Sequence, residues 1–457
     1  MPFKKTKKVQ FKLTKEFIEE IKILVSNGDG ETILSTLEGI HEADIAEMFD
    51  VLAMEEAKFI YRLLDEEMAS EVLVELEEDI REKFLEALSA KEIAEQIDNM
   101  DSDEAADIIA EIPEGKQERV IEQIEDPQQA KDIAQLMQYE ENSAGAIMGT
   151  ELISVNENWT TNQCIAEMQK QAQNVQYVYT IYVVNNQNKL TGMLSLKSLL
   201  FASTNTKVKD VYMPKVRSVN VDENQEEVAS MMKKYDLVAI PVIDFNDNLI
   251  GRITIDDVVD IMQEESEKDY QMASGISEKV ESSDSAWTIS RARIPWLMIG
   301  LLGGVLGAKV IGLFEGQLKD FPQMALFIPL IAAMGGNVGV QSSAIIVQSL
   351  ANNTLDLGTT FSKLMKELLV SLINGIILSV LIFLFIYMID SDLHLAITVS
   401  LSLITVIIFA GLFGTFVPLV LNKKNIDPAL ATGPFITTMN DVFGLLIYFM
   451  IGYLVYF

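Results

Sequence analysis

The sequence predicts a multidomain membrane protein. An α-helical solenoid and a duplicated α/β module precede a connecting helix and a five-helix transmembrane domain. Three observations predict this fold class. The excess charge is confined to the first 290 residues, one 20-residue pattern occurs twice, and five long apolar runs follow residue 290. A one-domain globular enzyme would not separate charge from hydropathy in this way.

The charge is distributed very unevenly along the chain. Residues 1–290 hold 59 of the 67 acidic and 27 of the 35 basic side chains, so the whole net charge of -32 lies there. This balance excludes a nucleic-acid binder that relies on a broad basic surface. One cysteine, Cys164, and two histidines, His41 and His394, are too few for a zinc cage. The basic start MPFKKTKKVQ is followed by no apolar run, so we expect no secretory signal and a cytosolic acidic half.

Residues 1–140 predict an acidic helical N-terminal domain. Apolar residues recur three and four positions apart in a background of Glu and Ala, which is typical of amphipathic helices. The segment DIAEMFDVL from Asp44 recurs as EIAEQIDNM from Glu92, and a weaker copy starts at Met68. A repeat of about 24 residues predicts stacked short helices, which form a small solenoid.

Residues 141–262 contain the duplicated module. IYVVNNQNKLTGMLSLKSLL from Ile181 aligns with IPVIDFNDNLIGRITIDDVV from Ile240, and each copy predicts a strand, a turn, a second strand and a helix start. This pattern resembles a tandem pair of CBS domains, although any duplicated unit of this kind would give it. Residues 263–290 are charged and polar, and they predict a connecting helix that leads into the membrane.

Five apolar runs are each long enough to cross a bilayer, which takes about 20 helical residues. The predicted spans of the transmembrane domain, residues 291–457, are about 294–314, 321–350, 368–389, 395–420 and 428–457. Basic side chains precede the first span and lie in the second and fourth loops, whereas Lys319 alone lies in an opposite loop. This bias predicts a multi-pass protein of the cell membrane with a cytoplasmic N-terminus and an external C-terminus.

The last span contains Asp441, which we predict to be the one carboxylate deep in the membrane. An aspartate at the bilayer centre costs roughly 2.5–3.5 kcal/mol, so it is expected to face a cavity or a partner. Pro434, Thr437 or Thr438, and Asp441 recur at helical spacing and predict a polar stripe. A carboxyl group that bonds a neighbouring helix for structure is the alternative.

The second span is irregular in composition, because Pro329 precedes the glycine-rich segment MGGNVGVQ. Glycines at membrane depth allow close backbone approach and freed carbonyl groups beside water or protein. We therefore expect a wet polar path along this span. Ordinary packing through small residues is the alternative, and we favour it for Gly303 and Gly307 of the first span.

Together with DPALATGPFITTMND, residues 427–441, these features resemble the MgtE family of magnesium channels over nearly the whole chain. The resemblance implies a homodimer in membrane lipid, with a pore on the two-fold axis between spans two and five. It implies that Asp441 is the pore carboxylate and that a backbone carbonyl near Thr437 contributes. The implied pore-lining residues are Pro329, Gly335, Gly336, Asn337, Gln341, Pro434 and Asp441.

The chemistry suits magnesium as the cargo. Mg²⁺ takes oxygen ligands and dehydrates reluctantly, so two symmetry-related Asp441 carboxylates could hold the ion through its waters. No thiolate or imidazole is placed to favour zinc or copper. The residues themselves leave Mn²⁺, Co²⁺ and Ca²⁺ open.

The resemblance also implies regulatory Mg²⁺ sites among the cytosolic acids, with Asp427 capping the last span. The implied ligands are Asp103, Asp107, Glu226, Asp236, Asp257, Asp260, Glu265, Asp269 and Asp427. Facing carboxylates repel, so a closed packing of these parts needs cations. Lys268 stands where a further acid is expected.

A nucleotide is a second expected cytosolic ligand. GRITIDD fits the CBS pattern in which Thr254 and Asp257 hold a ribose, so ATP is expected at one repeat, whereas Ser198 replaces that aspartate in the other. The leading interpretation is a Mg²⁺-gated channel, not an enzyme. An ion-coupled Mg²⁺ or Co²⁺ carrier and a nucleotide-sensing CBS receptor are the alternatives. An intramembrane aspartyl protease is disfavoured, because its chemistry needs two facing carboxylates.

Overall fold

The computed structural model describes residues 11–172, 175, 178–280, 284–351, 360–424, 426–431 and 433–456. It comprises two compact units, Met1–Met262 and Gln263–Phe457. The first unit holds the N-terminal helices and the α/β module, and the second holds the membrane helices.

Short helices fill the N-terminal part of the first unit. They are α1 Lys15–Asn27, α2 Gly30–Leu37, α3 Glu42–Val51, α4 Met54–Tyr61, α5 Glu66–Glu75, α6 Glu78–Ala87, α7 Ala90–Ile97, α8 Ser102–Glu111, α9 Glu114–Ile121 and α10 Pro127–Leu136. Helices α3, α5, α7 and α9 start 24 residues apart and pack in succession, which confirms the solenoid and adds a copy at α9. A capping box, in which the Ser89 N–H donates to Glu92 Oε2 at 2.7 Å, fixes the start of α7.

Two small sheets form the α/β module. The strands are β1 Ile153–Asn156, β2 Ile181–Val184, β3 Leu190–Leu194, β4 Met213–Pro214, β5 Val219–Asn220, β6 Ala239–Ile243 and β7 Leu249–Thr254. The sheet orders are β1-β2-β3-β4 and β5-β6-β7, and the first pairing in each sheet is parallel. The helices are α11 Thr161–Gln171, α12 Leu196–Phe201, α13 Gln225–Tyr235 and α14 Ile255–Ala273. The predicted duplication is therefore confirmed.

The second unit contains the predicted membrane spans. Its elements are α15 Ala286–Leu313, α16 Glu315–Asp320, a 3₁₀ turn Pro322–Phe327, α17 Ile328–Ala351, α18 Thr360–Asp390, α19 Leu393–Lys423, a 3₁₀ turn Pro428–Ala431 and α20 Gly433–Tyr456. Five helices of the described chain are long and apolar enough to cross a membrane, as predicted. Helix α19 packs against α17, α18 and α20 and forms the centre of this unit.

Several helix boundaries differ from the sequence-based prediction; α18, for example, starts at Thr360, eight residues before the predicted third span. Helix α15 starts at Ala286, because Ser285 caps it by accepting from the Thr288 N–H at 3.2 Å. The last helix starts at Gly433, not at 428. Asp427 accepts from the Ala429 N–H at 2.8 Å, so it caps the preceding 3₁₀ turn and not the last span. The expectation that Asp427 caps the span was wrong.

Candidate ion path and cation sites

Asp441 lies where α20 packs against α17. A Cβ atom added to Gly336 of α17 would lie 3.7 Å from Asp441 Oδ1 and 3.1 Å from Thr437 Cγ2. Thr437 and Asp441 therefore share one face of α20, and the Thr437 hydroxyl donates to the Gly433 carbonyl at 3.0 Å. Thr438 instead packs against Gly303 of α15. The polar stripe thus runs through Thr437, and the packing role favoured for Gly303 is confirmed.

Helix α17 is continuous, so the expectation of freed carbonyl groups in the second span was wrong. Pro329 lies in its first turn, where a missing N–H breaks no helical hydrogen bond. Gly335 is buried against Val406 of α19 and the backbone of Asn440 of α20. This environment makes Gly335 a helix-packing residue and corrects its assignment to the pore lining.

Carboxamide side chains lie on the open side of α17. Asn337 and Gln341 are exposed and line a cavity of about 320 Å³ between α17 and α18. Asn374, exposed near the middle of α18, adds a third carboxamide to the cavity. The sequence analysis missed Asn374, although an amide inside an otherwise apolar run was a visible signal.

Asp441 is not the one carboxylate within the membrane helices. Glu367 lies in the third membrane helix, where its Oε1 accepts from the Ser342 hydroxyl at 2.7 Å and the Ser371 hydroxyl at 3.4 Å. Ser342 follows Gly336 by six residues, so Glu367 bonds α17 about 9 Å along its axis from the level of Asp441. Glu367 lies near the start of α18 and one residue before the predicted third span, so the prediction that Asp441 is the one carboxylate deep in the membrane stays a prediction.

A group of three carboxylates forms in the first unit at the start of α8. One carboxylate oxygen from each of Asp101, Asp103 and Glu151 lies within 4.8 Å of the others. Glu151 caps α8: the Ser102 N–H donates to its Oε1 at 3.2 Å and the Ser102 hydroxyl to its Oε2 at 3.0 Å. A Cβ atom on Gly149 would lie 3.0 Å from Asp103 Oδ2, so glycine permits this close approach of the chain.

Burial and like charge make this acidic cluster unfavourable when it is ionised. Burial, with smaller contributions from Asp257 and Glu151, raises the pKa of Asp103 well above its usual range. Burial and Glu151 raise the pKa of Asp101 to about 6, although Arg252 Nη2 lies 3.6 Å from its carboxylate. Carboxylate oxygens in such a group are the ligands that Mg²⁺ and Ca²⁺ prefer, so a divalent cation would relieve the repulsion.

Asp257 stands at the start of α14 and is part of the same environment. Its Oδ2 accepts from the Thr254 N–H at 2.8 Å and from the Thr254 hydroxyl at 2.6 Å. Burial raises the pKa of Asp257 despite these bonds. The structure therefore brings Asp103 and Asp257 together, as the metal interpretation requires, and adds Asp101 and Glu151.

Other predicted ligands of the first unit lie elsewhere. Asp107 interacts electrostatically with Arg81, and Asp260 with Glu75. Glu226 lies in the first turn of α13 and Asp236 follows its last residue, so they are about 15 Å apart along the axis. One chain therefore cannot join Glu226 and Asp236 in a single ion site.

A second acidic group lies in the membrane unit. Burial, then Asp427, then Glu265 raise the pKa of Asp269, which lies on α14. Lys268 Nζ donates to the two carboxylate oxygens of Glu265 at 3.1 and 3.3 Å. The lysine that stands in place of an expected acid therefore partly neutralises this site.

The end of α14 lies directly against the start of α20. A Cβ atom on Gly433 would come 2.5 Å from the Ala273 carbonyl oxygen, and Gly433 has φ +47°. Gly275, with φ +83°, lies against the Pro434 ring in the same way. The connecting helix thus ends against the first turn of the helix that carries Asp441.

Comparisons with known proteins agree with this architecture. Family models match for "MgtE intracellular N domain" at residues 40–142, "CBS domain" at 144–205 and 208–264, and "Divalent cation transporter" at 328–451. The magnesium transporter MgtE of Enterococcus faecalis is 34% identical over 71% of this chain and 72% of its own length. That of Thermus thermophilus is 32% identical over 94% and 96%.

Solved structures resemble the first unit. The cytosolic domain of the Mg²⁺ channel MgtE in complex with ATP is 30% identical, with a TM-score of 0.51. The match covers 53% of this chain and 99% of that one. The soluble part of a magnesium transporter is 26% identical, with a TM-score of 0.50, and the match covers 55% and 99%.

Proposed function

The chain belongs to the MgtE family of divalent cation transporters, and from this premise we propose that it is a channel that admits Mg²⁺ into the cell and is closed by cytosolic Mg²⁺. It is a multi-pass membrane protein. The observation that carries the proposal is the position of Asp441 beside Thr437 and Gly336 on a polar face within the membrane helices.

The ion path we propose runs along the polar faces of α17 and α20 in a homodimer embedded in lipid. Two copies of Asp441 would hold hydrated Mg²⁺ by accepting hydrogen bonds from its waters, since stripping that shell is costly. The carboxamides of Asn337 and Gln341 supply further neutral acceptors. An ion held only by the two Asp441 carboxylates can still leave the site, and conduction requires this.

The test of this path is Asp441→Ala in the full-length protein reconstituted in liposomes. We expect loss of Mg²⁺ uptake with the dimer intact by size-exclusion chromatography. Glu315→Ala is the matched control, because Glu315 is exposed in the short helix α16 and pairs with Lys319 at 2.9 Å. Near-normal uptake by Asp441→Ala would remove the pore assignment.

We propose that the N-terminal domain (1–140), the CBS pair (141–262) and the connecting helix (263–290) form the sensor. The cluster of Asp101, Asp103, Glu151 and Asp257 would bind cytosolic Mg²⁺ and hold the first unit closed. Because α14 ends against Gly433, a change at its N-terminal end has a direct mechanical route to α20. We also propose that the N-terminus is cytoplasmic and that the C-terminus lies outside the cell.

ATP is a further proposed ligand of the CBS pair, because a relative's cytosolic domain is solved with ATP. In this chain, Asp257 already accepts two hydrogen bonds from Thr254, so a ribose would compete for the same carboxylate. Nucleotide and regulatory Mg²⁺ would therefore influence each other's binding at this helix start.

A coupled Mg²⁺ or Co²⁺ carrier remains the second candidate function, and Glu367 is the observation that favours it. A second carboxylate inside the membrane helices, bonded to Ser342, is a group that could carry a coupling proton. Mg²⁺ current that follows voltage in the absence of a proton gradient supports the channel. Transport that stops without the gradient, and in Glu367→Gln, supports the carrier.

A further inference from the structure

Asn440 is a fully buried amide at the centre of the membrane unit. Its side chain has no exposed surface, and neither Oδ1 nor Nδ2 has a hydrogen-bond partner in the described part of the chain. Buried carboxamides are almost always hydrogen-bonded, so a buried amide without a partner needs an explanation other than its own hydrogen bonds.

Small residues on two neighbouring helices form the space that Asn440 occupies. A Cβ atom on Gly339 of α17 would overlap Asn440 Nδ2, and Gly335 lies one turn away against the Asn440 backbone. Gly414 of α19 lies against the Gly339 carbonyl, so a Cβ atom there would overlap it. The glycines of α17 therefore make room for one inserted amide.

The position of Asn440 in the sequence gives this insertion a consequence for the ion path. Successive side chains on an α-helix project about 100° apart, so fixing the direction of Asn440 also fixes that of Asp441. With Asn440 lodged beside Gly339, Asp441 is directed past Gly336.

We propose that Asn440 is a positioning residue for the ion path: inserted between Gly335 and Gly339, it sets the rotation of α20 and so the direction of the Asp441 carboxylate. This inference rests on the proposed role of Asp441 in binding hydrated Mg²⁺. Displacing the amide should weaken ion binding more than it lowers the maximal rate.

The experiment measures Mg²⁺ uptake by the full-length protein in liposomes across a range of Mg²⁺ concentrations. We expect Gly339→Ala to raise the half-saturating concentration about tenfold or more, since a displacement of about 1 Å in a binding group has effects of this size. Asn440→Ala removes the inserted amide and should raise it similarly. Gly304→Ala is the control, because no atom lies within 4 Å of the added Cβ.

A double variant tests whether Gly339 acts through Asn440. If it does, Gly339→Ala should have a much smaller effect in an Asn440→Ala background than in the parent, because the overlap with the amide is gone and only the 2.7 Å approach to Ile436 Cγ2 remains. Parental half-saturation in Asn440→Ala, or independent and additive effects, would overturn the inference. Uptake that survives Asp441→Ala would instead overturn the proposed function, so the two failures are distinct.

Discussion

Asp103→Asn should stabilise the Mg²⁺-free protein and weaken its response to Mg²⁺. The change keeps the shape of the side chain and removes one charge from a group whose oxygens lie within 4.8 Å of one another. The repulsion of Asp103 by Asp101 and Glu151 within this group disappears, and so does its repulsion by Asp257. The same change removes a proposed ligand of the regulatory ion.

The structure sets the size of the effect. Two unit charges 4.8 Å apart repel by about 3.5 kcal/mol at an effective dielectric of 20 and by about 0.9 kcal/mol in bulk water. Because these side chains are half-buried and solvent screens them, we take the lower value, about 2 kcal/mol for two pairs. For a unit of this size, that corresponds to a rise of about 4–8 °C in the melting temperature.

The assay is thermal unfolding of the full-length protein in detergent, in EDTA and in a series of Mg²⁺ concentrations. The parent should gain stability as Mg²⁺ binds, and the variant should lose part of that gain. Glu31→Gln is the control: it changes the net charge equally, but lies on α2 and does not affect the pKa of Asp101 or Asp103. A variant that melts at or below the parental temperature in EDTA and keeps the full Mg²⁺ response would refute the cation site.

Three further outcomes are expected. Deleting residues 1–140 should leave conduction intact but raise the Mg²⁺ concentration that inhibits patch currents. The deleted segment contains Asp101 and Asp103 but no residue of the membrane helices. An unchanged inhibitory concentration would exclude the N-terminal domain from gating. The folded-state pKa of Asp101, about 6, lies above its usual 3.8, so the stability of the Mg²⁺-free protein should rise as pH falls through about 6. Over the same pH range the increase in melting temperature that Mg²⁺ causes should shrink. An increase that does not depend on pH would contradict this. Gly303→Leu should destabilise the membrane unit by about 1–3 kcal/mol, because its Cβ overlaps Thr438. Gly304→Leu should not, because its Cβ meets no atom within 4 Å. The yield of folded dimer after heating measures both effects.

The fold could be predicted because its repeats leave local signals. Apolar spacing within each 24-residue copy shows the helices, and the 59-residue offset between Ile181 and Ile240 shows the second repeat. The ends of the helices could be predicted less well from the sequence. Hydropathy reports the part of a helix that lies in the bilayer. In the structure, side-chain hydrogen bonds of Ser285 and Asp427 set the start of α15 and of the 3₁₀ turn before α20, respectively.

The sites could be predicted only in part, because their completion depends on tertiary contacts. Asp103 and Asp257 were identified from the resemblance, but Glu151 reaches Asp103 only because Gly149 pairs with Arg252 through two backbone hydrogen bonds of 2.9 Å. Spacing of 48 residues between Asp103 and Glu151 carries no local signal. The Gly335 assignment failed for a related reason, since composition does not say which side of a helix faces its neighbours.

The two kinds of site differ in charge count, and this difference matches their proposed tasks. The proposed regulatory cluster brings three acids together with Asp257 nearby, so an ion there would be held by several ligands and would stabilise the proposed closed state. The path offers one carboxylate, Asp441, beside neutral carboxamides such as Asn337. In the proposed dimer each chain would contribute this one carboxylate, and a further fixed charge on each chain at the same level would hold the ion more tightly and slow its exit. We therefore expect the number of carboxylates, with the same oxygen chemistry, to separate the proposed site that retains Mg²⁺ from the proposed path that releases it.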